Sequence, residues 1–149
     1  MCENFIQKCL VSHDEWRLTP QSEPSPFALC FAVFTLRLLR HDDILLNNRS
    51  EITTRLFTNL HAYCSLRKSQ TEIQYDKPFL QLLSFTLSAL SIVGGLECLR
   101  GNLEKMISPL LVENVSQELQ KIGVADGLPQ SGNMAMFMAI LLIYAHNHL

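Results

Sequence analysis

Pro26, Pro78 and Pro129 stand 52 and 51 residues apart, and each leads a strongly apolar stretch. The stretches are PFALCFAVFTLRLL, PFLQLLSFTLSALSIV and, after a short polar run, NMAMFMAILLIYA; the first two share a Phe-Thr-Leu triplet, Phe34–Leu36 and Phe85–Leu87. Proline suits the first turn of a helix, where its missing N–H has no partner to lose, and breaks a helix further in. Each proline therefore marks a helix start, and a period near fifty residues is the signature of helical-hairpin repeats. The expected fold is all-α: two to three consecutive helical hairpins arranged as an α/α-superhelix or a partial α/α-toroid. The length fits one domain over residues 1–149, with hairpin-like repeats at about 14–67, 69–122 and 126–149.

The first helix is predicted over 26–40, capped by Ser25 and apolar almost all round, so that other elements should enclose it. His41-Asp42-Asp43 makes the turn, with Asp42 or Asp43 as a good N-cap. The second helix runs to Arg67, with Asn47, Asn48 and Ser50 breaking its start. Its inner stripe is Ile44, Leu45, Ile52, Leu56, Leu60 and Tyr63. A third helix covers 77–93 and meets Gly94-Gly95, which end or weaken it; residues 96–100 continue it or begin a fourth. An amphipathic stretch follows over 102–122, kinked at Pro109, and a last helix over 133–147. Residues 1–12 read as a short amphipathic helix with Phe5, Ile6, Cys9 and Leu10 on one face, and 13–26 as loop. No segment alternates as a strand would.

The bulk properties exclude several functions. Charged residues make up 17% of the chain, net charge is −2, and the densest basic pair is Arg67-Lys68. The basic stripe that nucleic acid or an anionic lipid surface requires is missing, so no nucleic-acid partner is expected. The longest uninterrupted apolar run, 134–145, is shorter than a membrane span, so none is expected. The first sixteen residues lack the charged and apolar regions of a secretory signal. Five scattered cysteines without a Cys-x-x-Cys spacing suit reduced thiols in a cytoplasmic setting. No phosphate loop, G-x-S-x-G or H-E-x-x-H occurs, so no cofactor is expected. A metal is not expected either. His41-Asp42-Asp43 are adjacent rather than convergent, and His146 and His148 are two apart, which puts them on different helix faces.

One site can be built from the repeat. If the buried helices lie in register, their entry loops gather at one end and bring three carboxylates together: Glu23, Asp76 and Asp126. Trp16, Tyr75, Ser131 and Asn133 belong to the same loops. Carboxylates beside aromatic rings suit a sugar or another polyhydroxy ligand. The competing reading is capping, because acids before a helix are stabilised by its dipole and its free N–H groups. His13-Asp14-Glu15-Trp16 is either a general acid/base cluster or a solvated turn with an anchoring tryptophan.

The segment Glu23-Pro24-Ser25-Pro26-Phe27-Ala28-Leu29, leading to Phe34-Thr35-Leu36-Arg37-Leu38-Leu39, resembles the loop and inner helix of α/α-toroid repeats. Asp126-Gly127-Leu128-Pro129 with Asn133-Met134-Ala135-Met136-Phe137 resembles them too. That superfamily includes terpenoid cyclases, protein prenyltransferases and carbohydrate-processing enzymes. The resemblance implies stacked helical hairpins and, as one option, an enzyme domain acting on a carbohydrate or an isoprenoid through an acidic rim. No catalytic residue carries over, because the cyclase Asp-x-Asp-Asp cluster and the prenyltransferase zinc ligands have no counterpart here. The other option is a non-catalytic helical binding module whose partner is a protein, or a second copy met through the C-terminal helix. That helix ends the sequence with Phe137, Ile140, Leu141, Leu142, Ile143 and Tyr144 and has nothing after it to cover them.

Overall fold

A computed structural model describes residues 2–12, 14–67 and 77–106, together with 139, 140, 143, 144 and 147. The chain is mostly helical, with one small two-stranded sheet. In order come α1 (Cys2–Cys9), β1 (Leu10–Ser12), β2 (Glu15–Trp16), α2 (Pro26–Leu38), α3 (Asp42–Asn47), α4 (Arg49–Arg67) and α5 (Lys77–Val93). A further helix, α6, spans 96–106. The chain gathers into two compact units, Met1–Gln74 with Phe85–Glu97, and Tyr75–Ser84 with Cys98–Leu149.

The helix starts and stops follow backbone chemistry. Ser25 caps α2, its hydroxyl accepting the Phe27 N–H at 3.3 Å, with Pro26 in the first turn. At the other end Arg40 takes φ +59°, His41 N–H donates to Leu36 O at 2.9 Å, and Arg40 N–H to Arg37 O at 3.2 Å. That pair of bonds is a Schellman closure, and it stops α2 two residues before the expected Arg40. The same closure ends α5: Gly94 has φ +70°, Gly95 N–H donates to Leu90 O at 2.8 Å and Gly94 N–H to Ser91 O at 3.2 Å. A new helix, α6, then begins at residue 96. The break before α4 falls at Asn48, but the residues ahead of it are not a turn. Asp42 and Asp43 form the first turn of α3, with His41 at the N-cap, and Asp42 pairs with Arg37 at 2.6 Å.

The N-terminal loop expectation is corrected by a hairpin. Leu10 pairs with Trp16 and Ser12 with Glu15, and an isolated bridge joins Arg17 to Pro24. Strands of three and two residues are too short to show a period of two, so no alternation marks them in the sequence. Trp16 anchors them by burying its ring.

In the first unit, α2 meets the C-terminal half of α5 through phenylalanines. Phe85 lies edge-on to Phe27, Phe31 and Phe34, with centroids 6.4, 5.3 and 6.1 Å apart. Phe34 and Phe85 open the two Phe-Thr-Leu triplets. From α4, Ile52, Leu56 and Leu60 are buried one turn apart, as expected, and Leu45 of α3 is buried. Ile44 is exposed and Tyr63 half-buried, so these two leave the predicted stripe. In the second unit Leu80, Leu82, Leu83 and Leu103 are buried. The expectations for 107–138 (the amphipathic helix, its Pro109 kink and the Asp126–Pro129 turn) lie outside the described residues, whereas 139, 140, 143, 144 and 147 are helical.

Candidate functional site

The only tryptophan in the chain, Trp16, is 7% exposed and forms part of the wall of two neighbouring cavities in the first unit. β2 fixes it through its pairing with Leu10 and through Ser25 N–H, which donates to Trp16 O at 3.2 Å.

The first cavity is an apolar groove of about 90 Å³ between α1, the hairpin and α2. Phe5 and Ile6 of α1, Leu18, and Ala28, Phe31 and Ala32 of α2 line it. Two alanines one turn apart leave room that larger side chains would fill. Phe5, Leu18 and Phe31 remain 50%, 48% and 42% exposed. The expectation that α2 is enclosed on every side therefore fails along this groove, and Leu38, 82% exposed at the end of the helix, escapes as well. Arg17 also lines the groove. Its Nη1 donates to Pro20 O at 3.3 Å, while its Nε is buried with no hydrogen bond among the described residues.

The second cavity is a polar cleft of about 110 Å³ between the hairpin and α4. Arg55 and Asn59 stand one turn apart on α4, so their side chains share a face. Arg55 Nε donates to Asp14 Oδ2 at 2.8 Å, and Ser12 Oγ to Asp14 Oδ1 at 2.9 Å. Partial burial pushes the Asp14 carboxyl upward, but hydrogen bonds from Ser12 and Arg55 and the guanidinium charge outweigh it and hold its pKa below the ordinary value of 3.8. The side chains of the pair keep 40% (Arg55) and 26% (Asp14) of their surface exposed, so solvent screens the attraction and the pair contributes about 0.2–1 kcal/mol. Ser25 and Pro26 border the same cleft, but the α2 N-terminus has no donors left over. Phe27 N–H is held by the Ser25 hydroxyl, and Ala28 and Leu29 N–H by Ser25 O.

Of the seven residues picked from sequence, Trp16 is in both walls. Glu23 is exposed and lines neither cavity. Tyr75, Asp76, Asp126, Ser131 and Asn133 lie outside the described residues, as does His13 of the His13–Trp16 cluster. Asp14 of that cluster is in the cleft as half of an ion pair. Arg55, Asn59 and Leu18 had no motif to mark them; the one local signal was the four-residue spacing of Arg55 and Asn59 on a helix face.

Cys30 is buried in the first unit. Burial pushes the Cys30 thiol up to about 11, partly offset by its contact with the Thr86 hydroxyl at 3.9 Å, so it is a poor nucleophile. Among the described residues no three His, Cys, Asp or Glu side chains are placed to hold a metal ion, and no helix is long and apolar enough to cross a membrane.

No family model matches the chain, and no curated protein or solved structure matches it. The functional reading therefore rests on the two cavities.

Proposed function

We propose that the chain is a non-catalytic helical interaction module that receives an apolar segment of a partner protein in the groove between α1, the hairpin and α2. The observation that carries this reading is the convergence of Phe5, Leu18 and Phe31, three large apolar side chains from three separate segments, each about half exposed along one trough. Covering the exposed half of each contributes about 1 kcal/mol, so about 3 kcal/mol in all. That is a useful core for a weak, reversible contact. Among the described residues the only charged one lining the groove is Arg17, so the trough favours an apolar occupant with a backbone carbonyl or an acid near that edge.

Peptide display against the intact chain tests this. Enriched peptides should carry two or more apolar residues and lose binding to the Leu18→Glu and Phe5→Glu variants, whose melting temperatures should stay close to that of the parent. Peptides that bind these variants as well as the parent, or no enrichment at all, refute it. Self-association through the C-terminal helix is a separate arm of the proposal, supported by the 61% exposure of Ile143; a strict monomer by light scattering at high concentration removes it. The enzyme alternative needs Glu23, Asp76 and Asp126 on one rim. The one of the three that is described, Glu23, lines neither of the two cavities, so no observation favours that reading.

A further inference from the structure

The polar cleft has a chemistry that the groove does not explain. Apart from the Nε bond to Asp14, the guanidinium of Arg55 makes no hydrogen bond among the described residues, and the Asn59 amide makes none. Guanidinium and amide donors of this kind sit beside the carboxylates of Asp14 and Glu15, while Trp16, Pro24 and Leu29 supply apolar wall.

We propose that this cleft binds a small uncharged polyol through Asp14, Arg55 and Asn59, with Trp16 as the apolar wall. The charges select the class. An anion meets two carboxylates, Asp14 and Glu15, and finds the α2 N–H groups already taken. A cation meets the guanidinium. A hydroxyl group both donates and accepts, so neighbouring hydroxyls can give to a carboxylate and take from a guanidinium or an amide, replacing the hydrogen bonds of displaced water. The C–H face of the same molecule suits an indole and a proline. A cleft of about 110 Å³ has the volume of roughly three or four water molecules, which fits two or three hydroxyl groups and one edge of a ring rather than a whole sugar. Affinity should accordingly be weak, with half-saturation at about 1 mM or above.

This inference does not depend on the groove, and the two fail separately. As the sole tryptophan, Trp16 reports on the cleft without labelling. Titrating the intact chain with myo-inositol and with glucose should give a saturable change in its fluorescence. Asn59→Ala should raise the half-saturating concentration tenfold or more at an unchanged melting temperature, and Leu18→Glu should leave it as it is. Choline chloride and sodium phosphate serve as the charged probes. The proposal is overturned by no saturable response to either polyol up to about 100 mM, by an equal response in Asn59→Ala, or by a response to the charged probes alone.

Discussion

Gly95 is where the backbone allows a side chain but the packing does not. A Cβ built there would stand 2.7 Å from Thr53 Oγ1, 2.8 Å from Thr53 Cγ2 and 3.1 Å from Leu90 Cδ2. Two of those contacts are closer than Cβ atoms come in real interiors, and both belong to the short, branched side chain of a residue held inside α4. Overpacking of this size costs about 1–3 kcal/mol. Replacing glycine by alanine also stiffens the unfolded chain, which returns about 0.4–1 kcal/mol where the native φ suits alanine. Gly95→Ala should therefore destabilise by about 1–2 kcal/mol, or roughly 2–8 °C in melting temperature for a chain of this length.

The neighbour decides whether that reasoning holds. Thr53→Ala deletes the two closest atoms, and the next nearest is Leu90 Cδ2, the mobile end of a long side chain. In that background Gly95→Ala should be neutral or mildly stabilising, so the pair should couple by about 1–3 kcal/mol in a double-mutant cycle. Urea unfolding followed by Trp16 fluorescence is the suitable assay, because Trp16, Thr53, Leu90 and Gly95 lie in the same compact unit. A coupling energy below about 0.5 kcal/mol would refute the contact, since distant and independent sites give that much.

Two further substitutions test the local chemistry. Arg40 occupies the left-handed region at φ +59° in the closure that glycine serves at Gly94, so Arg40→Gly should stabilise by about 1 kcal/mol, read as a rise in the urea midpoint at constant m-value. Asp14 has its folded pKa below the unfolded one, so its contribution is complete above the unfolded value near 3.8 and is lost as pH falls through the folded value. The parent should therefore lose stability relative to Asp14→Asn between pH 5 and pH 2 by about 1 kcal/mol or less; parallel stability curves across that range refute the ion pair.

The parts of the fold legible in the sequence were those written in backbone chemistry. Ser25-Pro26 and Gly94-Gly95 mark helix ends because a cap acceptor, a missing N–H and a tolerance for positive φ are properties of single residues. The Ile52, Leu56, Leu60 stripe was legible because burial repeats with the helix. What escaped depends on pairings that no residue type announces. The hairpin needs Leu10 against Trp16 in strands too short to alternate, and the cleft needs Asp14 against Arg55, 41 residues on. The closure of α2 on Arg40 also escaped, because arginine gives no hint of positive φ. Trp16 stands out by residue type, as an aromatic ring beside carboxylates. Its position between two cavities follows from the strand pairing, and no local pattern announced it.

In the first unit, the packing of α2 against the C-terminal half of α5 accounts for the groove. Both proline-led helices close by the same pair of hydrogen bonds, and their Phe-Thr-Leu triplets meet where Phe34 and Phe85 pack edge-on, with Thr86 against Cys30. One face of α2 is satisfied by that contact. An apolar helix has no polar face to turn outward, so its other side must be covered by something else. On that side α1 and the hairpin bring Phe5, Leu18 and Trp16, which leave Phe31 half exposed. Trp16 at the same time closes the wall of the polar cleft. In a close-packed interior a side chain shared by two cavities transmits displacement from one to the other. A polyol that moves the indole should therefore change the affinity of an apolar peptide for the groove, measured on the parent chain with and without saturating myo-inositol, and equal affinities would show that the ring holds still.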